Sequence, residues 1–193
     1  NGSIVNLIVP DTANNLINIV SGGRSEINGT VRSIKNGSVG GNLYFLNPYG
    51  LLVGTSGSIQ AGSLTIRSIS PGILHDYLNN SMWLIKPSGA AELAMDVDFS
   101  TGSIIDIQGH ITTAGNQYFG AEVSRLSGSL QTNGGNLIMH GADSITINNG
   151  AIISTRKVAD GTPLANHADL SVLSTGNSGD ITLTVDHKTY HGQ

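Results

Sequence analysis

Between Gly41 and Ser68 the chain reads GNLYFLNPYGLLVGTSGSIQAGSLTIRS, and no apolar run in it exceeds four residues before a turn. That punctuation limits what the chain can become. Leu43–Leu46 stops at Asn47-Pro48-Tyr49-Gly50, Leu51–Val53 stops at Gly54-Thr55-Ser56-Gly57, Ser58–Ala61 stops at Gly62, and Leu64–Ile66 alternates. An amphipathic helix needs apolar residues at three- and four-residue spacings over a longer stretch, whereas short runs of strand formers between turn clusters read as strands. Pro48 presets φ for the first corner, and Gly50 can take the positive φ at which a side chain would clash. Strands this short, joined by turns this tight, predict a chain wound round a narrow prism: an all-β, parallel β-helix.

Composition agrees. The 193 residues include 26 Gly, about twice the ordinary share, with only 11% charged and 5% aromatic residues. Ser, Thr, Asn and Gly supply the polar surface in place of charge, as suits coils whose side chains form ladders and whose corners are glycine. Net charge is −4 and β-branched residues are plentiful, which excludes the composition of a disordered chain. The largest cationic cluster is Arg156-Lys157 without interleaved aromatics, so no nucleic-acid partner is expected. With no Cys there is no disulfide framework and no thiolate metal site. No run of about eighteen apolar residues offers a membrane-spanning helix.

In order, Ile4–Val9 and Leu16–Val20 are strands, Ser21-Gly22-Gly23 is a turn, and Gly29 divides Ser25–Ser33 into two short strands at a corner. Pro71 opens a different texture. Residues 71–100 are expected to leave the coil, with one or two helical turns in Ile73–Asn80 and the single Trp, Trp83, covering one edge or face of the prism. Regular runs resume at Gly102, and residues 114–124, with Tyr118 and Phe119, are expected to form a second excursion. The last part repeats most clearly: Gly134-Gly135-Asn136-Leu137-Ile138-Met139 is echoed by Ser178-Gly179-Asp180-Ile181-Thr182-Leu183, with Lys157–Asp169 as a loop from one corner. The expected organisation is a single domain over 1–193, with motif-bearing coils in 1–70 and repeat-like coils in 125–193. At about twenty residues per coil the chain would make on the order of eight or nine.

Candidate chemistry is sparse. Asp96, Asp98 and Asp106, with Glu92 near them, are the closest approach to the paired carboxylates of a glycosidase or the oxygen ligands of Ca²⁺. The simpler reading is a polar outward face with turn acids. His75, His110, His140, His167, His187 and His191 are scattered, and the four-residue spacing of His187 and His191 suits a metal only on a helix. No nucleophile constellation, phosphate-binding loop or dinucleotide fingerprint is present. The sequence therefore predicts no catalytic residues, no metal ligands and no cofactor.

The run NLYFLNPYGLLVGTSGSIQAGSLTI resembles the core of the secretion domain of filamentous-haemagglutinin-type exoproteins, the haemagglutination activity domain family. There an apolar strand runs into Asn-Pro-Asn-Gly, then an apolar pair, a Gly and a small Gly-Ser coil. Upstream, NIVSGGRSEINGTVRS (Asn18–Ser33) is similar to the family coil that precedes it. The likeness covers roughly residues 1–70, and the coils of the last third resemble those that follow the secretion domain in such exoproteins. Two departures stand out: Tyr49 occupies the third turn position in place of Asn, and no second Asn-Pro motif occurs.

The resemblance implies a right-handed parallel β-helix with extra-helical excursions, secreted or held at the surface of a Gram-negative bacterium. It implies a two-partner secretion passenger, recognised by an outer-membrane β-barrel transporter and nucleating the folding of a surface adhesin or haemolysin-like β-helix. Asn47, Pro48, Tyr49 and Gly50 match the secretion motif. Host or cell-surface glycans or proteins are further partners that it admits, and no enzymatic activity follows from it. Because the family domain begins further upstream, a processed or excised fragment is expected. The alternative, from the same fold, is a polysaccharide-active enzyme or carbohydrate-binding module. Such enzymes line a groove with acids, bases and aromatics, which these widely spread residues do not suggest.

Overall fold

A strand of three to six residues cannot bury an apolar face alone, so these strands are stable only as an array. The computed structural model describes residues 2–80, 99–159 and 173–186, and they form a parallel β-helix. Strands β1 (Ile4–Ile8) and β2 (Asn15–Ile19) make the first coil. The second holds β3 (Ser25–Ile27), β4 (Thr30–Lys35), the short return strand β5 (Ser38–Val39) and β6 (Asn42–Leu46). The third holds β7 (Gly50–Val53), β8 (Ser58–Ala61) and β9 (Ser63–Arg67), after which helix α1 (Pro71–Asn80) leaves the stack. Then come β10 (Ile104–Ile107), β11 (His110–Thr113), β12 (Gln117–Leu126), β13 (Ser129–Thr132), β14 (Leu137–Ile147), β15 (Ile152–Ser154) and β16 (Ile181–Val185).

One face of the prism runs β1-β4-β8-β11-β13-β15, and these six strands set the number of coils among the described residues. That is fewer than the eight or nine expected of the whole chain, and in the described part Val5, Val31 and Ile59 are successive rungs at spacings well above twenty residues. Every coil-to-coil pairing is parallel; the antiparallel pair β4–β5 is a local hairpin. Its turn, Asn36-Gly37, has φ of 52° and 76°, the geometry of a two-residue type I′ turn.

The core is a set of apolar columns whose rungs are about 4.8 Å apart along the axis. Val5, Val31, Ile59, Ile111, Leu130 and Ile153 stack on one face. Ile27, Val53, Ile107, Leu126 and Ile147 stack on the next. Phe45, Ile66, Phe119, Met139 and Leu183 stack on the third. Each fully buried aliphatic contributes about 1.5–3 kcal/mol relative to exposure. Gln117 interrupts a leucine column between Leu64 and Leu137. It is buried there with Nε2 donating to Gln131 O at 2.8 Å and Thr113 Oγ1 at 3.2 Å.

Corners explain the composition. A Cβ on Gly128 would lie 1.9 Å from the carbonyl oxygen of Gly109, the corner residue of the coil before it. Only glycine permits coils to approach so closely. The other corner carries a repeated hydroxyl latch. Ser33 donates to Gly40 O (2.7 Å), Thr113 to Gly115 O (2.6 Å), Thr132 to Gly135 O (2.6 Å) and Thr155 to Gly179 O (2.7 Å).

The first excursion begins where expected. Ser70 precedes Pro71, a residue suited to the first helical position, and Ser70 O accepts from Leu74 N at 3.0 Å. Helix α1 is longer than the one or two turns expected, and its Leu74 packs with Tyr44, Leu46 and Ile69 on the outer wall of the stack. An Ile69–Phe99 antiparallel bridge closes the neck of the excursion. Trp83 and residues 81–98 lie outside the described residues, as do residues 160–172 of the later loop, whose neck Val158 and Ser174 bridge.

The second expected excursion, 114–124, is corrected. Residues Gln117–Leu126 form a strand that pairs with β9 on one side and β14 on the other. Phe119 points into the core between Ile66 and Met139, so an aromatic mistaken for loop packing is a rung of the stack. The strand turns the corner through a register shift between Ala121 and Val123, with no Gly-Asn turn cluster to announce it.

Candidate functional site: the Asn47–Gly50 corner

Strand β6 ends because Pro48 has no N–H to continue the ladder. Asn47 Oδ1 accepts from Tyr49 N at 2.9 Å, and Gly50 N donates to Asn47 O at 3.0 Å. The only non-glycine residue with positive φ among those described is Asn36, so Tyr49 does not need the left-handed region. Asn first, Pro second and Gly fourth is the pattern of a type I turn. The positive φ, 87°, falls on Gly50 instead. This is why tyrosine is acceptable at the third position.

The turn is wired to the corners around it. Asn47 is 3% exposed, and its Nδ2 donates to Gly23 O and Ser25 Oγ, both at 2.8 Å, at the start of the second coil. Its backbone N donates to Arg67 O at 3.1 Å, and Ser68 Oγ donates to Pro48 O at 3.1 Å, at the end of the third coil. A Cβ on Gly50 would stand 2.0 Å from Ile104 O, in the strand that re-enters after the excursion. Thus four residues tie the second coil to the third and seat the strand that opens the fourth. Both protons of the Asn47 amide and its oxygen are committed inside the protein. Asn47, Pro48 and Gly50 are buried, while Tyr49 is 50% exposed.

Asp106, the described member of the acidic group, is 3.8 Å from Arg24 and accepts from Gln108 Nε2 at 3.1 Å. It forms a local ion pair on the outer wall; Glu92, Asp96 and Asp98 lie outside the described residues. His110 Nδ1 is 2.8 Å from Ser129 Oγ, His140 Nε2 is 2.8 Å from Asp186, and His75 is on α1. His167, His187 and His191 lie outside the described residues. Among those described, no three His, Asp or Glu side chains gather as a metal site.

The sequence reading missed a cluster beside the corner. Arg67, 1% exposed, faces the Phe99 ring at 5.2 Å and the Tyr118 ring at 5.7 Å. Phe99 also meets His140 edge-on at 5.1 Å. Gly120 makes room, since a Cβ there would come within 2.7 Å of the Phe99 ring. Burial raises the Tyr118 phenol above its ordinary value, partly offset by the Arg67 charge. The usable sequence signal was the phase of β9, which puts Arg67 on the same outward face as Tyr44 and Leu46.

No family model, no curated protein and no solved structure matches the chain.

Proposed function

We propose that this chain is the secretion domain of a two-partner-secreted exoprotein, exported across a Gram-negative outer membrane through a dedicated β-barrel transporter. The observation that carries the reading is the Asn47–Gly50 corner. It matches the family motif at Asn47, Pro48 and Gly50, with Tyr49 at the third position, and it ties the second coil to the third while seating the fourth. In this reading the transporter takes the unfolded segment, in which Asn47, Pro48, Tyr49 and Gly50 are all accessible. Folding then withdraws Asn47, Pro48 and Gly50 into the stack and leaves Tyr49 outside. Release from the transporter and closure of the corner are therefore one event. Coil stacking supplies free energy for outward movement without a nucleoside triphosphate, because each coil offers the next a paired edge. The finished stack then templates a surface adhesin or haemolysin-like β-helix.

The test compares release of the full exoprotein with stability of the purified domain. Asn47→Ala, Pro48→Ala and a core variant of matched urea midpoint, Ile111→Val or Ile111→Ala, are expressed with the cognate transporter. The motif variants should lose secretion while the matched core variant is released normally. Equal release at equal midpoint would leave the corner a purely structural feature.

A further inference from the structure

The four motif residues are not constrained alike, and three of them are held by the fold itself. The Asn47 amide accepts from Tyr49 N and donates to Gly23 O and Ser25 Oγ. Pro48 is buried at the end of β6, and its carbonyl accepts from Ser68 Oγ. Gly50 has φ of 87°, with Ile104 O lying where a β-carbon would need room. Another residue at any of these three positions disturbs the stack, whatever else reads the segment.

Tyr49 is different. The turn uses only its backbone, whose N donates to Asn47 Oδ1 at 2.9 Å. Its φ is not positive, and the third position of a type I turn is compatible with most residues. Among the described residues no hydrogen bond or ring contact engages its side chain. The corner would therefore close equally well around Asn or Ser, the ordinary turn residues. Yet this position carries a large ring that stays 50% exposed. It is also the one motif side chain that closing the corner leaves within reach of another molecule, since Asn47, Pro48 and Gly50 are all buried. A tyrosine ring has large contact area, few rotatable bonds and an apolar body, which suits it to fill a partner's pocket.

We infer that Tyr49 is the specificity-determining residue of the export segment, its ring entering an apolar slot on the outer-membrane transporter. This rests on the reading of Asn47–Gly50 as that segment. Asn47, Pro48 and Gly50 then shape the corner that the folding chain must close, and Tyr49 is the side chain by which the transporter tells this passenger from another. The contact is open to Tyr49 both in the unfolded segment and after the other three residues have withdrawn, so it is the last of the four to be given up.

The test separates export from stability at this one position. Tyr49→Asn, Tyr49→Ser and Tyr49→Phe are placed in the full exoprotein with its cognate transporter, beside Asn47→Ala, and released protein is measured. Urea midpoints are taken on the purified 193-residue chain carrying the same substitutions. The three Tyr49 variants should keep the wild-type midpoint. Release should fall at least about tenfold for Tyr49→Asn and Tyr49→Ser, the loss of one strong contact, while Tyr49→Phe, which keeps the ring, stays within about threefold of wild type. A midpoint that falls with Tyr49→Asn or Tyr49→Ser overturns the inference, because the ring would then serve the fold. Loss of release in Tyr49→Phe equal to that in Tyr49→Asn overturns the apolar slot. Normal release of Tyr49→Asn and Tyr49→Ser with loss in Asn47→Ala overturns this inference alone and leaves the export reading standing. Normal release of Asn47→Ala as well would overturn both.

Discussion

Gly50 lies against Ile104 so closely that a β-carbon on it would be 2.0 Å from the Ile104 carbonyl oxygen. The strand that re-enters after the excursion therefore docks directly onto the backbone of the motif turn. Gly150 offers an internal control: its φ is 84°, close to the 87° of Gly50, yet a β-carbon there would meet nothing within 4 Å. Gly150→Ala should cost only the left-handed backbone penalty, about 1–2 kcal/mol. Gly50→Ala adds a steric conflict with the next coil and should cost at least about 3 kcal/mol. Urea midpoints of the two variants measure the difference; equal losses would mean that the re-entering coil does not rest on Gly50.

Asn47 is specific for its amide. Asn47→Ala removes three part-buried hydrogen bonds of a buried side chain, so a loss of about 2–4 kcal/mol is expected. Asn47→Asp keeps the bond from Tyr49 N but aims carboxylate oxygen at Gly23 O and Ser25 Oγ. Burial and the facing carbonyl raise the folded-state pKa of the introduced acid above the unfolded value of about 3.9. The sign follows from linkage: the folded state then holds its proton more tightly, so stability falls as pH rises through that interval. Urea midpoints of Asn47→Asp, relative to wild type, should recover as the buffer is made acidic. A deficit independent of pH would remove the carboxylate as its cause.

Tyr44 is 1% exposed and its hydroxyl has no hydrogen-bond partner among the described residues. Burial raises its phenol above the ordinary 10.0. The unfolded chain thus ionises first, and stability should fall as pH rises above about 10. Tyr44→Phe removes a buried unsatisfied group and should raise the midpoint by up to about 1 kcal/mol while flattening the alkaline slope. Thermal unfolding between neutral and strongly alkaline pH checks both; a lower midpoint for Tyr44→Phe would indicate that the hydroxyl is satisfied.

Short strands, glycine corners and a helical excursion were legible because each has a local signature. Gly29 does separate β3 from β4, and Pro71 does open the excursion. The corner inside β12 was hidden because it is made by a register shift within a continuous apolar strand, not by turn residues. The spacing of rungs was hidden for a related reason: extra chain between them, such as the Asn36-Gly37 hairpin, has no effect on the apolar period that marks a rung. At the motif, the residues were legible but the wiring was not. Sequence places Asn47 in a turn; only the stacking brings Gly23, Ser25 and Arg67 within its reach. Arg67 escaped attention because one charge in a strand reads as surface, whereas here Phe99 and Tyr118 flank it.

The proposal turns on whether the corner is handled before it is buried, and photocrosslinking reports that directly. A photoreactive residue at position 48 is introduced into the full exoprotein, which is arrested in its transporter and compared with released protein. Position 133, in a late corner whose Asn133 N donates to Thr113 O, serves as the control. Crosslinks from position 48 to the transporter should be strong in the arrested complex, absent after release and well above those from position 133. Equal crosslinking from both positions, or none from position 48 in the arrested complex, would contradict a role for the Asn47–Gly50 segment in export.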